Sequence, residues 1–411
     1  MKKIVIAGGG FAGVELYKTL HKKLHGSPAV RFQMVSDKNY FLFYPMLHEV
    51  ATGSVERNHI TQPLREIVNC CVETVTETQI QKIDVAQKKL VTDSGEINYD
   101  YLVVALGVRP NYFGIPGAHE NCTTFKSIDD AVVVRNQLID HFEKAAREKD
   151  AAVRKELLAT IIIGGGPSGV ELAGQISDLI HTELRELYQE VDIHEASITL
   201  IDAGDRLLRQ MHPSLSAAAA ARLQKMGVTI MLNAKVEGCT KNGVTVAGSG
   251  ELRAGLRVWA AGMESSVRGL VAAELLAAHG GLATTASLQL VGHPEVFVIG
   301  DVAEIVFPEK VMVPQTAQAA TAEAAHAAQN MYNLLTHQPV RPFKFVSKGD
   351  IVPIGDWFAV GQLGAFRFSG RIMWIIRRYV FLQRMWSLRN RTKVCLDWIM
   401  RALMRRDTSR L

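Results

Sequence analysis

Two segments of this chain share one layout, and few folds can accommodate both. Residues 3–7 (KIVIA) form a short apolar run that leads into Gly8-Gly9-Gly10-Phe11-Ala12-Gly13 and then a helical pattern to Leu24. Residues 159–163 (ATIII) lead in the same way into Gly164-Gly165-Gly166-Pro167-Ser168-Gly169 and a helical pattern through Ile180. A second apolar strand pattern follows each, at 30–35 and 198–201. A lone glycine turn also serves as a plain tight connection, but two in matching strand–turn–helix contexts point to two dinucleotide-binding units. The first glycine allows the turn, the second lets backbone approach a pyrophosphate, and the third lets the helix pack on the strand. The helix N-terminus then turns unpaired N–H groups and a positive dipole end toward the phosphates. Two such sites imply two dinucleotides, most economically a flavin and a nicotinamide.

The rest of the chain narrows the reading. Its 411 residues, 48% hydrophobic and 21% charged, suit two or three packed domains and exclude disorder and fibrous structure. Strand patterns ending in glycine recur at 101–107, 258–262 and 296–301, and residues 313–335 form an Ala-rich helical stretch. Residues 338–342 (QPVRP) are expected to link to a distinct C-terminal region. The five cysteines are too few and too scattered for a disulfide framework, and no metal-ligand spacing occurs. Cys70-Cys71 is an adjacent pair on an expected strand, so the two side chains point to opposite faces. The start, MKKIVIAGGG, runs straight into a buried-strand pattern without a secretory core, and no stretch nears the ~20 apolar residues of a membrane span. Both features are expected of a reduced, cytosolic-side protein.

Charge is unevenly spread. Between residues 367 and 410 twelve Lys/Arg stand against Asp397 and Asp407, a local net of +10 within a chain of net +5. Ile372, Ile375, Ile376, Tyr379, Leu382 and Trp386 fall on one helical face, with Arg371, Arg377, Arg378 and Arg384 flanking it. Cys395, Trp398, Ile399, Ala402 and Leu403 repeat the pattern beside Arg401, Arg405 and Arg406. Basic flanks with Trp and Ile faces suit helices lying in a membrane interface of anionic lipid. The alternative is a helix pair docked on its own domain or on a second subunit. No nucleic-acid-binding fold accompanies the charge.

The succession GGGFAG, ALGVRP, GGGPSG, WAAG and VFVIGDVAE resembles the two-dinucleotide-binding-domain flavoproteins over nearly the whole chain. PMLHEVATG (45–53), PLR (63–65) and TAQAA (316–320) make it most similar to type II NADH dehydrogenases, the single-subunit NADH:quinone oxidoreductases. That resemblance implies an α/β fold of two nested Rossmann-like domains plus a C-terminal amphipathic helical membrane-associating region. The FAD domain would comprise 1–125 and 285–337, the NAD domain 126–284, and the membrane-associating region 338–411. It further implies FAD-dependent NADH oxidation with electron transfer to a membrane quinone, without proton pumping, at the cytoplasmic face. A flavoprotein reductase with a soluble or protein acceptor, and a slow-turnover NADH/FAD redox sensor, are the other readings. A homodimer is left open. Disulfide reductases and sulfide:quinone oxidoreductases of this architecture use cysteine pairs near the flavin, and neither a C-x₂-C nor a C-x₄-C spacing is present.

Residue by residue, the resemblance places FAD on Gly8, Gly9, Gly10, Phe11, Ala12 and Gly13, with Ala105 and Gly107 at the end of a neighbouring strand. The family has an acidic ribose partner after the second strand of each unit. Asp202 fills that place in the nicotinamide unit beside Gly164, Gly166 and Gly169, with Gly262 after a later strand. No basic residue follows Asp202 immediately, so NADH is expected over NADPH; the competing role for Asp202 is to cap a turn. In the flavin unit Ser36 stands there, with Asp37 next as a substitute. Asp301 would hold the ribityl chain, with an ordinary turn aspartate as the alternative, and Ile80 would give a backbone contact to adenine or be simply core. The helix from Pro314 onward would point its positive end at the reduced flavin, with Ala317 and Gln318 at the ring and quinone pocket. The family's second glutamine is replaced by Ala322. Glu171, expected in the first turn of its helix, is the candidate proton donor to the quinone. Arg377 sits where the family has a basic residue near the flavin.

Overall fold

A computed structural model of the chain describes residues 1–68, 72–308 and 310–410. Cys70 and Cys71 lie outside them. By contact density the chain divides into two units: residues 1–42, 61–109 and 263–347 form the first, and 43–60, 110–262 and 348–411 the second. Nesting is therefore present, but its seams fall at 109/110 and 262/263. The second unit also takes in 43–60 and the whole C-terminal region.

The first unit is built on an eight-stranded sheet. Its parallel centre sets Lys2–Ala7 between Tyr101–Val104 and Val30–Ser36, with His293–Val298 beyond Tyr101–Val104. At the centre, Ile4–Ala7 and Leu102–Val104 read as continuous apolar runs because both faces are covered, and all of these residues are fully buried. The helix Phe11–Leu24 packs on the Ala-rich helix Ala317–Leu335. Ala319, Ala320, Ala324, Ala327 and Ala328 form the latter's buried stripe, and their small side chains permit the close approach. This helix starts later than its composition suggests. Thr316 is its N-cap, accepting from the Ala319 N–H at 3.2 Å, and residues 313–315 stay outside it.

The second unit repeats the plan on a five-stranded parallel sheet ordered Thr123–Thr124, Leu256–Trp259, Ala159–Ile163, Ser197–Ile201, Val228–Met231. Its helix Pro167–Leu179 continues into a π-helical turn, Ile180–Leu184. The C-terminal region opens with an antiparallel sheet (Asp350–Pro353, Ala359–Leu363, Phe366–Gly370) that the sequence pattern did not announce. Two helices follow, Arg371–Arg384 and Leu388–Leu403. Residues beyond them fold back: Arg406 pairs with Asp356 at 3.2 Å and Arg410 with Asp140 at 2.8 Å.

These two helices invert half of the expected pattern. Ile372, Ile375, Tyr379, Ile399 and Leu403 are exposed, as anticipated, and Leu396, outside the expected face, is exposed with them. Trp398 is buried instead, and so are two of the arginines assigned to the flanks, Arg377 and Arg406. Arg378 is sandwiched between the rings of Trp374 at 3.6 Å and Trp398 at 4.4 Å. The physical reason is that Glu49, Glu183 and Asp356 wait inside the unit for these cations. Among the described residues no helix is long and apolar enough to cross a membrane.

Candidate functional site

The two glycine turns have the sterics that dinucleotide binding asks for. A Cβ on Gly8 would lie 2.2 Å from the Ala105 oxygen, and one on Gly13 2.0 Å from the Gly8 oxygen. On Gly164 it would lie 2.7 Å from Ala260, and on Gly169 1.9 Å from the Gly164 oxygen. These glycines let strand, turn and helix close on each other. Gly10 and Gly166 differ, since nothing lies within 4 Å of a Cβ there, which leaves open space at each helix start. Neither helix has a side-chain cap, whereas Ser127, Asp150, Thr316 and Ser387 cap other helices of the chain. Open space beside uncapped N–H donors fits a pyrophosphate.

Around the first turn, Ala105 is buried and its N–H donates to the Ala7 carbonyl at 2.8 Å; Gly107 has φ +67°. Phe11 packs edge-on against Phe41 at 4.9 Å, and Ala12 is buried. Ser36 is buried at the end of its strand, its hydroxyl accepting from the Lys38 N–H at 3.3 Å. Asp37 is exposed and lines a shallow depression with Lys38, Glu77, Thr78, Gln79 and Asp93. Ile80 is buried at the start of a strand of a small antiparallel sheet. Asp301 lies in the 3₁₀ turn Gly300–Val302, with its carbonyl accepting from Gln315 at 2.9 Å. Ala317 and Gln318 open the Ala-rich helix.

Sequence reasoning missed Glu323. This buried glutamate accepts the Gly300 N–H, directly before Asp301. Burial pushes its carboxyl up, the Gly300 N–H pulls back, and Asp301 adds to the rise, to about 8. One turn of helix from Ala319 and Ala320, it looked like an ordinary surface acid in an alanine-rich stretch.

In the second unit, Asp202 braces the turn itself. Its two oxygens accept from the Gly165 N–H at 2.6 Å and the Gly204 N–H at 2.7 Å. The turn-capping role is thus realised, and remaining lone pairs leave capacity for a ribose hydroxyl. Arg209 approaches to 3.8 Å, so a cation does stand near Asp202, seven residues on rather than adjacent. Gly262 has φ +68°. Glu171 sits in the second turn of its helix, not the first, because Pro167 is already helical; the direct dipole rationale for an acid there does not apply.

What Glu171 has instead is a partner. His48 Nδ1 lies 3.2 Å from its carboxylate, and His48 is buried in the short helix Leu47–Val50. The next residue, Glu49, is fully enclosed. Arg377 donates to it at 2.9 Å and the Trp398 indole at 2.7 Å. Burial alone would push the Glu49 carboxyl up, yet the fixed guanidinium charges of Arg377 and Arg378 beside it pull it down to about 2. Arg377 also donates to the Pro45 carbonyl at 3.1 Å, faces His48 Nε2 at 3.1 Å and stacks over Phe381 at 4.3 Å. The HE pair of PMLHEVATG is therefore joined to both C-terminal helices. A motif gives no sign of which distant helix will supply its counter-ion.

Cys122 and Cys239 share one buried apolar cluster; hydrogen bonding to Cys239 and burial push the Cys122 thiol up. Cys395 is half-buried.

Against known proteins, residues 2–324 match the pyridine nucleotide-disulphide oxidoreductase family and 348–407 the NDH2 C-terminal domain. The chain is 32% identical to the type II NADH:quinone oxidoreductase Ndh of Mycobacterium tuberculosis, over 96% of this chain and 87% of that one. It is 28% identical to the external alternative NADH-ubiquinone oxidoreductase of Yarrowia lipolytica mitochondria, over 100% and 81%. Its fold is similar to that of NDH2 from Plasmodium falciparum in complex with NADH, at TM-score 0.90 and 22% identity over 99% of both chains. It also resembles the sulfide:quinone oxidoreductase of Aquifex aeolicus, at TM-score 0.75 and 18% identity over 98% and 95%. With two uncapped glycine-turn helices in its nested units and an NDH2-type C-terminal region following in sequence, the chain belongs to the type II NADH:quinone oxidoreductases of the pyridine nucleotide-disulphide oxidoreductase family.

Proposed function

We propose that this chain oxidises NADH through bound FAD and delivers the electrons to a membrane quinone without pumping charge. The first glycine turn, with Ser36, Asp37, Ala105, Gly107, Asp301, Ala317 and Gln318, would hold FAD; the second, with Asp202 and Gly262, would hold NADH. In this assignment residues 1–125 and 285–337 serve the flavin, 126–284 the nicotinamide and 338–411 the membrane. Held there, FAD would supply the hydride-accepting and two-electron-donating chemistry between nicotinamide and quinone. The chain's own residues do the rest. Helix-start N–H groups neutralise the pyrophosphates, Asp202 selects a ribose free of 2′-phosphate, and the Glu171 carboxyl moves a proton to the reduced quinone.

The duplicated open, uncapped helix start carries this reading, because it asks for two anionic nucleotides in one chain. Lipid contact is assigned to the exposed face of Ile372, Ile375, Tyr379, Leu396, Ile399 and Leu403, with Arg371 and Arg384 exposed beside it. The surface would be the cytoplasmic one. The decisive experiment is anaerobic reduction of the purified holoprotein by NADH, then re-oxidation by menaquinone or ubiquinone analogues. Rapid bleaching and quinone-dependent recovery are expected. Recovery only with soluble dyes would favour a soluble or protein acceptor, and a stall after one reduction a sensor.

A further inference from the structure

His48 has no role in the function above, yet its surroundings leave it little freedom. Three charged side chains face its ring, all within the second unit. Arg377 meets Nε2 at 3.1 Å, Glu49 lies 3.8 Å from the same nitrogen, and Glu171 lies 3.2 Å from Nδ1. A guanidinium has donors and no lone pair, so the nitrogen it donates to must be bare. Arg377 is held in place by its other contacts, to Glu49 at 2.9 Å, the Pro45 carbonyl at 3.1 Å and the Phe381 ring, and is itself buried. Glu49 in turn is held by the Trp398 indole. The ring proton is therefore left on Nδ1, the atom that points at Glu171.

We propose that His48 is the positioning residue of Glu171: Arg377 fixes the ring tautomer, and the Nδ1–H holds the Glu171 carboxylate in one orientation. The inference rests on Glu171 being the proton-moving group. It goes further by making Glu171 answer to Arg377, and so to the helix Arg371–Arg384 that carries the exposed apolar face. A tautomer set by one partner and read by another is a familiar way to orient a working carboxylate or metal ligand. Burial of the ring with Glu49 and Arg377 makes a mispaired nitrogen costly, because solvent cannot easily supply the missing partner. With side-chain exposures of 2% for His48, 4% for Glu49 and 2% for Arg377, a wrong tautomer would leave two donors facing each other.

The test uses the FAD-loaded holoenzyme and side chains that reproduce one ring nitrogen at a time. The amide of Asn reaches about as far as Nδ1, and that of Gln about as far as Nε2. His48→Asn keeps a donor for Glu171 and should retain most quinone turnover. His48→Gln keeps only an acceptor for Arg377 and should lose about tenfold, the factor for a lost hydrogen bond to a charged group. Its defect should not add to that of Glu171→Gln, and both variants should bind FAD and be bleached by NADH as wild type is. Independently of any His48 variant folding, ¹⁵N-histidine spectra of the wild-type holoenzyme should show one ring with bare Nε2 and protonated Nδ1. Glu171→Gln should move that Nδ1 resonance. A ring protonated on Nε2, or His48→Gln with undiminished turnover, overturns the proposal. Normal quinone turnover in Glu171→Gln would instead overturn the proton-moving role of Glu171, and leave the tautomer result standing.

Discussion

The two glycine turns are near copies in backbone and differ in what supports them. Both close strand against helix through glycines with no room for a side chain, and both leave the helix start open and uncapped. Behind the second turn stands Asp202, whose oxygens grip two backbone N–H groups of that turn and the next. Behind the first stands Ser36, a neutral hydroxyl with one weak acceptance from Lys38. The first unit places its buried acid elsewhere, at Glu323 under Gly300. The open, uncapped helix start is thus duplicated, while the polar support behind it diverges.

That contrast can be broken most sharply at its shared element. Gly169→Ala would put a methyl 1.9 Å from a carbonyl oxygen, and should cut NADH oxidation by at least ~100-fold while the protein stays yellow. Gly13→Ala, at 2.0 Å, should instead yield protein that does not retain flavin, read from its absorbance. If both variants lost the same cofactor, the assignment of the two turns would be wrong. Asp202→Ala comes next. Loss of two charge-assisted contacts and a ribose partner should raise KM for NADH by about ten- to a hundredfold, with flavin content unchanged.

A pH experiment sharpens the other side. The folded Glu323 carboxyl holds its proton to about 8, against an ordinary value of 4.5. Between those values the folded chain binds more protons than the unfolded one, so this group's contribution is complete at the acid end and declines as pH rises toward 8. Glu323→Gln should flatten that decline, and thermal unfolding across this range would show it. Glu49 acts in the opposite sense. Held down to about 2, it stabilises above its ordinary range, and that stability is lost as pH falls from about 4.5 toward 2. The smallest effect is expected at Asp37→Asn, an exposed position where flavin affinity should move less than about twofold.

Much of the fold was legible because its signals are local. A glycine turn between an apolar run and a helix specifies its own geometry, and the runs 4–7, 101–104 and 161–163 were visible as unbroken apolar stretches because both faces are covered there. What escaped were pairings across long separations. His48 and Glu49 were noticed as letters in a motif, but their partners Glu171, Arg377 and Trp398 lie 123 to 349 positions away. The same blindness misdirected the arginines of the C-terminal helices. A periodic pattern shows which residues share a face, not whether an acid awaits them inside. The outward face of Ile372, Ile375 and Tyr379 was readable; the inward turn of Arg377 and Arg406 was not.

The last residues carry a consequence for handling the protein. Arg406 has no exposed side-chain surface and answers Glu183 and Asp356, while Asp407 meets Arg135 and Arg410 meets Asp140. A proteolytic cut ahead of Arg406 would leave Glu183 and Asp356 with half their cations gone, so cleavage there should loosen the unit far more than cleavage just after it.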